Sequence, residues 1–360
     1  GMGVSADAEG WLVAPPSRRF DITIEEDLIE EVVRIHGYDR VPLHAPTGQL
    51  QLGALPEAQV PLAAFSTQLA ARGYFEAINY AFLDVSVLRA WSLEQGAEVL
   101  SNPLSAELGA MRTALLPGLV EALRRNLARQ QSRVRLFETG RVFLRDAEGP
   151  REALHLAAAA CGPARTEQWG EKAREIDFHD LRGDLESLLA LAGDQAPVTL
   201  VPAQVPWLHP GRGARVERGG RVLGHLGHLH PALARTLDLD QEVLVMELDV
   251  AALSSRAVPV AREISRFPSV RRDLAVVVPQ DVAWARLEAS LRACAGPLLR
   301  AVTPFDVYQG KGMETGFKSI AMGLIFQDDS RTLAEQDIEK AVAAALDGLA
   351  RDCGAVLRGS

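Results

Sequence analysis

Residues 265–358 read SRFPSVRRDLAVVVPQDVAWARLEASLRACAGPLLRAVTPFDVYQGKGMETGFKSIAMGLIFQDDSRTLAEQDIEKAVAAALDGLARDCGAVLR. Asp273–Val278 is an apolar strand. Trp284–Cys294 has helical spacing, with Asp281 placed to cap it and Gly296 to close it. Leu299–Gln309 and Gly316–Phe326 are strands joined through Gly310-Lys311-Gly312. Thr332 and Glu335 have capping-box spacing for a helix from about Leu333 to Cys353. Gly354 suits the left-handed residue that stops it, and Ala355–Arg358 supplies a last strand. The order βαββαβ predicts a ferredoxin-like sandwich, which hosts RNA readers, metabolite sensors and enzymes alike.

Upstream, from about Ala58 to Leu253, strands and helices mix. Leu62–Ala71 reads as a helix closed by Gly73, and Ala77–Leu83 as a strand. Thr113–Gln131 is the most regular helix, with Pro117 in its first turn and Leu116, Leu119, Val120, Leu123 and Leu127 as its apolar stripe. Arg124, Arg125, Arg129, Arg133, Arg135 and Arg141 follow as a run, open to RNA phosphates, an acidic partner or plain solvent. Val134–Glu138 and Arg141–Leu144 read as a hairpin turning at Thr139-Gly140. Further strands fall at Leu154–Cys161, Val198–Val201, Ala214–Glu217, Val222–His225 and Glu242–Val250. Phe178–Leu191 is a helix interrupted by Gly183. Short turns between apolar runs argue for an antiparallel sheet flanked by helices, so the fold class is α+β.

The first 46 residues hold a different signal. In FDITIEEDLIEEVVRIHGYDRVP, residues 20–42, Thr23 and Glu26 have capping-box spacing and Gly37 fits a helix stop. Ile24, Leu28, Ile29, Val32, Val33 and Ile35 fall on one half of the helix. Asp27, Glu30 and Glu31 cluster at i, i+3 and i+4 on the other, with Asp21 just upstream. Four close carboxylates repel one another unless water, Arg34 or a hard cation such as Mg²⁺ compensates them. From spacing alone, a solvated helix face and a cation site both remain open. Trp11–Val13 reads as a strand, and Val41 to Pro56 as a Gly/Pro/Gln linker.

Composition narrows the classes. The 360 residues suffice for two or three cores, and 48% apolar with 24% charged residues is ordinary for a soluble protein. No apolar run approaches the roughly 18 residues of a membrane helix, and no signal peptide is visible. The opening Gly-Met reads as an expression remnant and the chain as starting inside a larger protein. Cys161, Cys294 and Cys353 are far apart and odd in number, which argues against a disulfide framework and suits a reducing cytoplasm. The net charge of −9 does not advertise nucleic-acid binding; residues 265–360 carry 12 Lys/Arg and 12 Asp/Glu, so the upstream part carries all of it. His209, His225, His228 and His230 are close in sequence, with no Cys or acidic partner at ligand spacing, and read as loop and strand histidines. No G-x-S-x-G, H-E-x-x-H or phosphate-cradling Gly loop with Lys-Ser/Thr occurs. The middle region shows no catalytic constellation.

Three motif groups, in order, carry a resemblance. Arg18–Pro42, with D-x₅-D-x₂-E-E and R-I-H-G-Y-D, comes first. N-P-L-S at Asn102–Ser105, R-T-A-L-L-P-G-L at Arg112–Leu119 and L-F-E-T-G-R-V-F at Leu136–Phe143 follow. R-F-P-S-V-R-R-D, F-D-V-Y-Q-G and S-R-T-L complete the set. Together they resemble the C-terminal half of the bacterial phenylalanyl-tRNA synthetase beta-subunit family. The resemblance implies a remnant of the metal-bearing domain over 1–46, a catalytic-like but inactive module of the class II synthetase type over 47–258, and an anticodon-binding domain over 265–360. It implies an α₂β₂ heterotetramer with the alpha subunit, cytoplasmic, that attaches phenylalanine to tRNA(Phe). ATP would be bound by the holoenzyme, and this chain alone would catalyse nothing. The family's editing domain and N-terminal tRNA-binding region have no counterpart in these residues.

The same resemblance assigns Mg²⁺, shared with the alpha subunit, to Asp21, Asp27, Glu30 and Glu31. In the anticodon-binding domain, a reader of RNA offers aromatics for stacking and Lys/Arg for phosphates, which makes Arg271, Arg272, Tyr308, Lys311 and Lys318 the candidates. Two other classes compete. A ferredoxin-like effector domain would suit an amino-acid-sensing regulatory protein. A Mg²⁺-dependent phosphotransfer enzyme would use the Asp21–Glu31 acids, but lacks a visible nucleophile, base or phosphate loop.

Overall fold

Helix stripes and alternating strands fix the layers of this chain. The computed structural model describes residues 1–45, 47–48, 56–146, 148–193, 197–261 and 263–358. The chain divides into two units, Gly1–Ala54 and Leu55–Ser360. Most of the expected linker, Pro46 and 49–55, lies outside the described residues.

The first unit opens with an antiparallel hairpin, β1 (Gly3–Asp7) and β2 (Gly10–Ala14), of which only the second strand was expected. Helix α1 (Glu25–His36) follows. Its cap differs from the Thr23/Glu26 pattern: the backbone N–H groups of Thr23 and Ile24 donate to Asp27 Oδ2 at 2.7 and 3.0 Å. The helix starts one residue later than that box requires, which places Asp27 rather than Glu26 at the third helical position. Its apolar stripe is uncovered, with Ile29 54%, Val32 68% and Ile35 77% exposed.

The second unit begins with α2 (Leu62–Ala71), β3 (Phe75–Glu76), β4 (Phe82–Leu83), α3 (Val85–Ala90), β5 (Ala110–Met111) and α4 (Leu116–Ala128). The long strands β6 (Val134–Asp146) and β7 (Gly149–Cys161) come next, then α5 (Phe178–Ala190), β8 (Val198–Pro202), β9 (Leu208–Arg218), β10 (Arg221–Leu229), α6 (Pro231–Thr236), β11 (Leu244–Asp249) and α7 (Val250–Ser254). Among the described residues the main sheet runs β3-β6-β7-β11-β10-β9-β8, antiparallel except for the β3–β6 edge. Strand β7 explains the two layers of helices. Leu156, Ala158 and Ala160 enter the core with α2 and α5, while Ala157, Ala159 and Cys161 enter the core with α4. A strand covered on both faces has no polar side, and alanines let both helix layers come close. On α4, Leu116, Leu119, Val120 and Leu123 are all buried, each contributing about 1.5–3 kcal/mol.

Four sequence readings need correction here. Strand β6 runs straight through Thr139-Gly140 in register with Leu156 and His155. Gly140 does not mark a turn: a Cβ there would lie 2.2 Å from an Arg112 guanidinium nitrogen. The expected strand Ala77–Leu83 survives only as its last two residues, because Asn79 turns its amide groups to Glu138 Oε1 and Oε2 at 3.3 and 2.7 Å instead of a strand neighbour. The arginine run does not form one basic face. Arg135 is buried beside Asp184, and Arg124 and Arg125 both reach Glu121 on their own helix. His228 and His230 do not share a strand face, since β10 ends at Leu229 and His230 caps α6.

The last part is β12 (Val270–Pro279), α8 (Trp284–Cys294), β13 (Leu299–Tyr308), β14 (Phe317–Phe326), α9 (Glu335–Cys353) and β15 (Val356–Leu357). Its sheet order is β13-β14-β12-β15, as the βαββαβ reading requires. Val276, Val278, Ile320, Met322, Leu324 and Phe326 alternate inward onto α8 and α9. Two caps differ from expectation. Helix α8 follows Ala283 with no side-chain cap from Asp281. Asp337, not Glu335, reaches back to the Ala334 N–H at 3.1 Å, and Arg331 holds that carboxylate at 2.7 Å. Gly354 is left-handed at φ 62°, as its position required. Among the described residues no helix is long and apolar enough to cross a membrane.

Candidate functional site

The acidic patch of the first unit is organised by an arginine. Two turn hydrogen bonds, Arg19 N–H to the Pro16 carbonyl and Ile22 N–H to the Arg19 carbonyl, bring Arg19 back toward α1. Its Nε donates to both oxygens of Asp21 at 3.0 Å, and its Nη2 to Asp21 Oδ2 at 2.7 Å and Glu31 Oε1 at 2.8 Å. Arg34 donates to the other Glu31 oxygen at 2.8 Å. These bonds stabilise the ionised forms. Arg19, then Arg34, pull the Glu31 carboxyl down to about 2, and Arg19 also lowers Asp21. Asp27 is lowered by the Thr23 and Ile24 N–H groups that it caps.

Of the four expected metal ligands, the structure thus joins Asp21 and Glu31 through Arg19. It assigns Asp27 to the helix cap and leaves Glu30 on the exposed face. Among the described residues no three His, Cys, Asp or Glu side chains are drawn together to hold a metal ion. The residues as arranged do not fit a preformed Mg²⁺ centre, since the space between two of the acids is taken by a guanidinium. Sequence reasoning missed Arg19, although a cation two residues before Asp21 was visible.

The second candidate surface is the face of the C-terminal sheet opposite α8 and α9. Parity decides who lies there. Arg271 and Tyr308 alternate with the core residues and sit on the open face, whereas Arg272 and Lys318 share the parity of Val276 and Ile320. Arg272 is tied to Glu335 of α9, and Lys318 donates to the Gln280 carbonyl at 2.9 Å. Lys311 lies in the β13–β14 loop, where its carbonyl accepts from the Tyr308 hydroxyl at 2.9 Å.

Two further residues complete the open face and were not foreseen. The Arg271 guanidinium lies 5.4 Å from the centre of the Phe305 ring and 2.7 Å from Asp273 Oδ1. Arg358 lies 5.2 Å from the Tyr308 ring centre. Gly323 makes the first pair possible, because a Cβ there would meet the Arg271 guanidinium within 2.9 Å. Each pair presents a flat ring and a flat cation, the surfaces on which unpaired bases stack.

The middle sheet holds buried charges that pair with one another. Arg112 bonds Glu138 at 2.6 Å; Glu247 accepts from the Leu115 N–H at 3.1 Å and the Leu116 N–H at 3.2 Å and meets His155 Nδ1 at 2.7 Å. Asp184 is shared by Arg72 and the Tyr74 hydroxyl. These groups hold the N-terminus of α4 and the walls of the sheet. None of these pairs includes a Ser, Thr, Cys or Lys nucleophile.

Three family models match this chain. Residues 41–250 match the family model described as the phenylalanyl tRNA synthetase beta chain CLM domain. Residues 265–358 match the ferredoxin-fold anticodon binding domain, and residues 1–38 the tRNA synthetase B5 domain. The phenylalanine–tRNA ligase beta subunit of Xanthomonas euvesicatoria is 52% identical over 361 residues, covering 99% of this chain and 45% of that protein. The Xylella fastidiosa beta subunit is 52% identical over 342 residues, 94% of this chain and 43% of its own length. The chain therefore spans less than half the length of these curated relatives. Over that span, it belongs to the phenylalanine–tRNA ligase beta-subunit family.

Proposed function

We propose that this chain is the part of a phenylalanine–tRNA ligase that assembles with the alpha subunit and offers its C-terminal sheet to the anticodon region of tRNA(Phe). The observation that carries the RNA reading is the open face bearing the Arg271–Phe305 and Arg358–Tyr308 pairs. Bases splayed out of a loop stack on such surfaces, while the guanidinium N–H groups not engaged by Asp273 and Ser319 can meet phosphates. Assembly is supported by the segment after α2, where Phe75, Ile78 and Tyr80 are all exposed beside the edge strand β3. Large apolar groups concentrated in six residues suit a protein contact more than solvent.

The reaction chemistry belongs to the holoenzyme: a cytoplasmic α₂β₂ assembly that binds ATP on alpha and joins phenylalanine to tRNA. In this chain, the paired buried charges of the middle sheet hold a scaffold. Mg²⁺ at Asp21, Asp27, Glu30 and Glu31 is a property of the assembled protein, in which the four acids would have to converge. The amino-acid-sensing alternative has no observation on its side.

The test combines this chain with an alpha subunit and an anticodon stem-loop. Complex formation and restored phenylalanylation of tRNA are expected. Phe305→Ala should weaken stem-loop binding roughly tenfold, the scale of one lost base stack. Arg272→Ala, on the helix side of the sheet, should change it less than about twofold. Equal losses from the two substitutions would sink the open-face assignment.

A further inference from the structure

The loop that follows β7 is closed at its base and encloses a cavity. The Ala164 N–H donates to the Arg174 carbonyl at 2.9 Å, and the Ile176 N–H to the Gly162 carbonyl at 3.0 Å. Gly162 is left-handed at φ 83°, and a Cβ there would collide with the Ser132 carbonyl, so glycine lets the loop seat on the residues before β6. The cavity between the loop and Arg133 measures about 450 Å³, within the roughly 300–1,000 Å³ of ligand sites. Its charges do not cancel. Arg165 meets Glu171 at 3.1 Å, and Arg174 turns to Asp180 at 2.6 Å. Among the described residues, Arg133 and Lys172 line the cavity with no acid at ion-pair distance, and Glu167 is the one unpaired lining acid to oppose them. Arg133 uses its Nε on the Pro163 carbonyl at 3.2 Å. Behind this wall lies a second buried cation, Arg135, whose Nη2 donates to the Ala164 carbonyl while its Nε has no partner. The carboxylate beside Arg135 is Asp184, which Arg72 shares. Burial, then the Arg135 charge, lower the basicity of the Arg133 guanidinium. An anion in the cavity would relieve a cation held in this way.

We propose that Arg133, Lys172 and the Pro163–Glu175 loop form a site for the phosphate group of a nucleotide, with Trp169 of the same loop taking the base. The cavity offers a guanidinium and an ammonium, and the hydroxyls of Ser132 and Thr166 line it as well. Phosphate oxygens accept from all of these donors at once, on the strand side and on the loop side. Trp169 is wholly exposed, and a bare indole ring is a stacking surface for any base. The site shares no residue with the open face of the C-terminal sheet and stands without the anticodon reading. A phosphodiester of an RNA strand and the phosphate of a free nucleotide present the same chemistry to it.

The test titrates the 360-residue chain with inorganic phosphate, adenosine monophosphate and a single-stranded RNA oligonucleotide, followed by calorimetry. Arg133→Gln combined with Lys172→Gln should weaken binding at least about tenfold, the scale of two lost charge contacts. Trp169→Ala should weaken the nucleotide and the oligonucleotide by a similar factor, about one base stack, and leave inorganic phosphate unchanged. Arg133→Lys keeps the charge and should retain most of the affinity; it serves if Arg133→Gln disturbs the fold by circular dichroism. Each titration is repeated with Phe305→Ala, and the response to the Arg133 and Lys172 changes should persist in that background. Tighter binding of the oligonucleotide identifies an RNA strand as the source of the phosphate, and tighter binding of the monophosphate a free nucleotide; either upholds the site. If none of the three binds in the millimolar range, or binding ignores Arg133 and Lys172, the proposal falls while the open-face reading keeps its own test. If Trp169→Ala impairs complex formation with the alpha subunit and no phosphate ligand responds, the loop is a protein contact and not a nucleotide site.

Discussion

Asp184→Ala is expected to lower the unfolding free energy of the second unit by about 3–5 kcal/mol, the usual cost of stranding a buried charge. Asp184 is 1% exposed and serves three groups. Arg72, just after α2, reaches one oxygen, the Tyr74 hydroxyl donates to the other at 2.6 Å, and an Arg135 guanidinium nitrogen lies 3.8 Å away. Arg135 is itself buried and has another fixed bond, Nη2 to the Ala164 carbonyl at 2.9 Å. Truncating the acid leaves this cation in the core without its counter-charge, with the Tyr74 hydroxyl unpaired beside it. Burial, the larger cause of the raised Tyr74 phenol, persists without Asp184, so Tyr74 does not compensate by ionising. Asp184→Asn keeps an acceptor for Tyr74 but not the charge, and should cost less than Asp184→Ala. Urea unfolding followed by tryptophan fluorescence measures both. A loss below about 1 kcal/mol for Asp184→Ala would mean that water or relaxation replaces the carboxylate.

Glu138→Ala should have an effect of similar size, about 3–5 kcal/mol, with a local signature. Glu138 is 2% exposed, and its oxygens accept from Arg112 Nη1 at 2.6 Å and Asn79 Nδ2 at 2.7 Å. Arg112 keeps its Nε bond to the Arg141 carbonyl at 2.9 Å, so it cannot swing out to water without breaking β6 contacts. The released Asn79 should let the stretch between β3 and β4 open, seen as faster hydrogen exchange at residues 77–81. A cycle with Arg112→Leu separates the pair from its parts. Glu138→Leu together with Arg112→Leu should cost clearly less than the two single changes summed. Additive losses would show that the two side chains do not depend on each other.

These two networks also show where the sequence was hard to read. The helix stripe at Leu116–Leu123 and the order of elements after residue 265 were legible because their period and stop signals are local. Gly140 was not, because its reason is Arg112, which is 28 positions earlier and comes near only in the folded sheet. A missing Cβ looks the same whether it frees a turn or makes room for a side chain. The arginine run failed for the same cause: neighbours in sequence alternate across a strand, so Arg135 goes inward. The acids of the first unit were legible as a cluster. Which of them is spent on a cap, and which on Arg19, depended on turns at Pro16–Ile22 that no periodicity announces. On the C-terminal sheet, Arg271 and Arg272 are adjacent letters on opposite faces, and β12 pairing with β14 was needed to tell them apart.

The split of basic residues between those two faces sets how RNA held there would respond to ionic strength. Arg272 is engaged by Glu335 and Lys318 by a carbonyl on the helix side, while on the open face, among the described residues, Arg271 and Arg358 keep one bond each, to Asp273 and Ser319, and present their remaining guanidinium N–H groups. Two phosphate contacts displace few condensed counterions, giving a slope near −1.4 in log affinity against log salt for single-stranded RNA, about a sevenfold loss from 50 to 200 mM salt. Much of the grip would come from stacked rings, which exchange no ions with the solution. On the function proposed above, a chain whose net charge is −9 would hold RNA on this face without a basic field drawing in other nucleic acids.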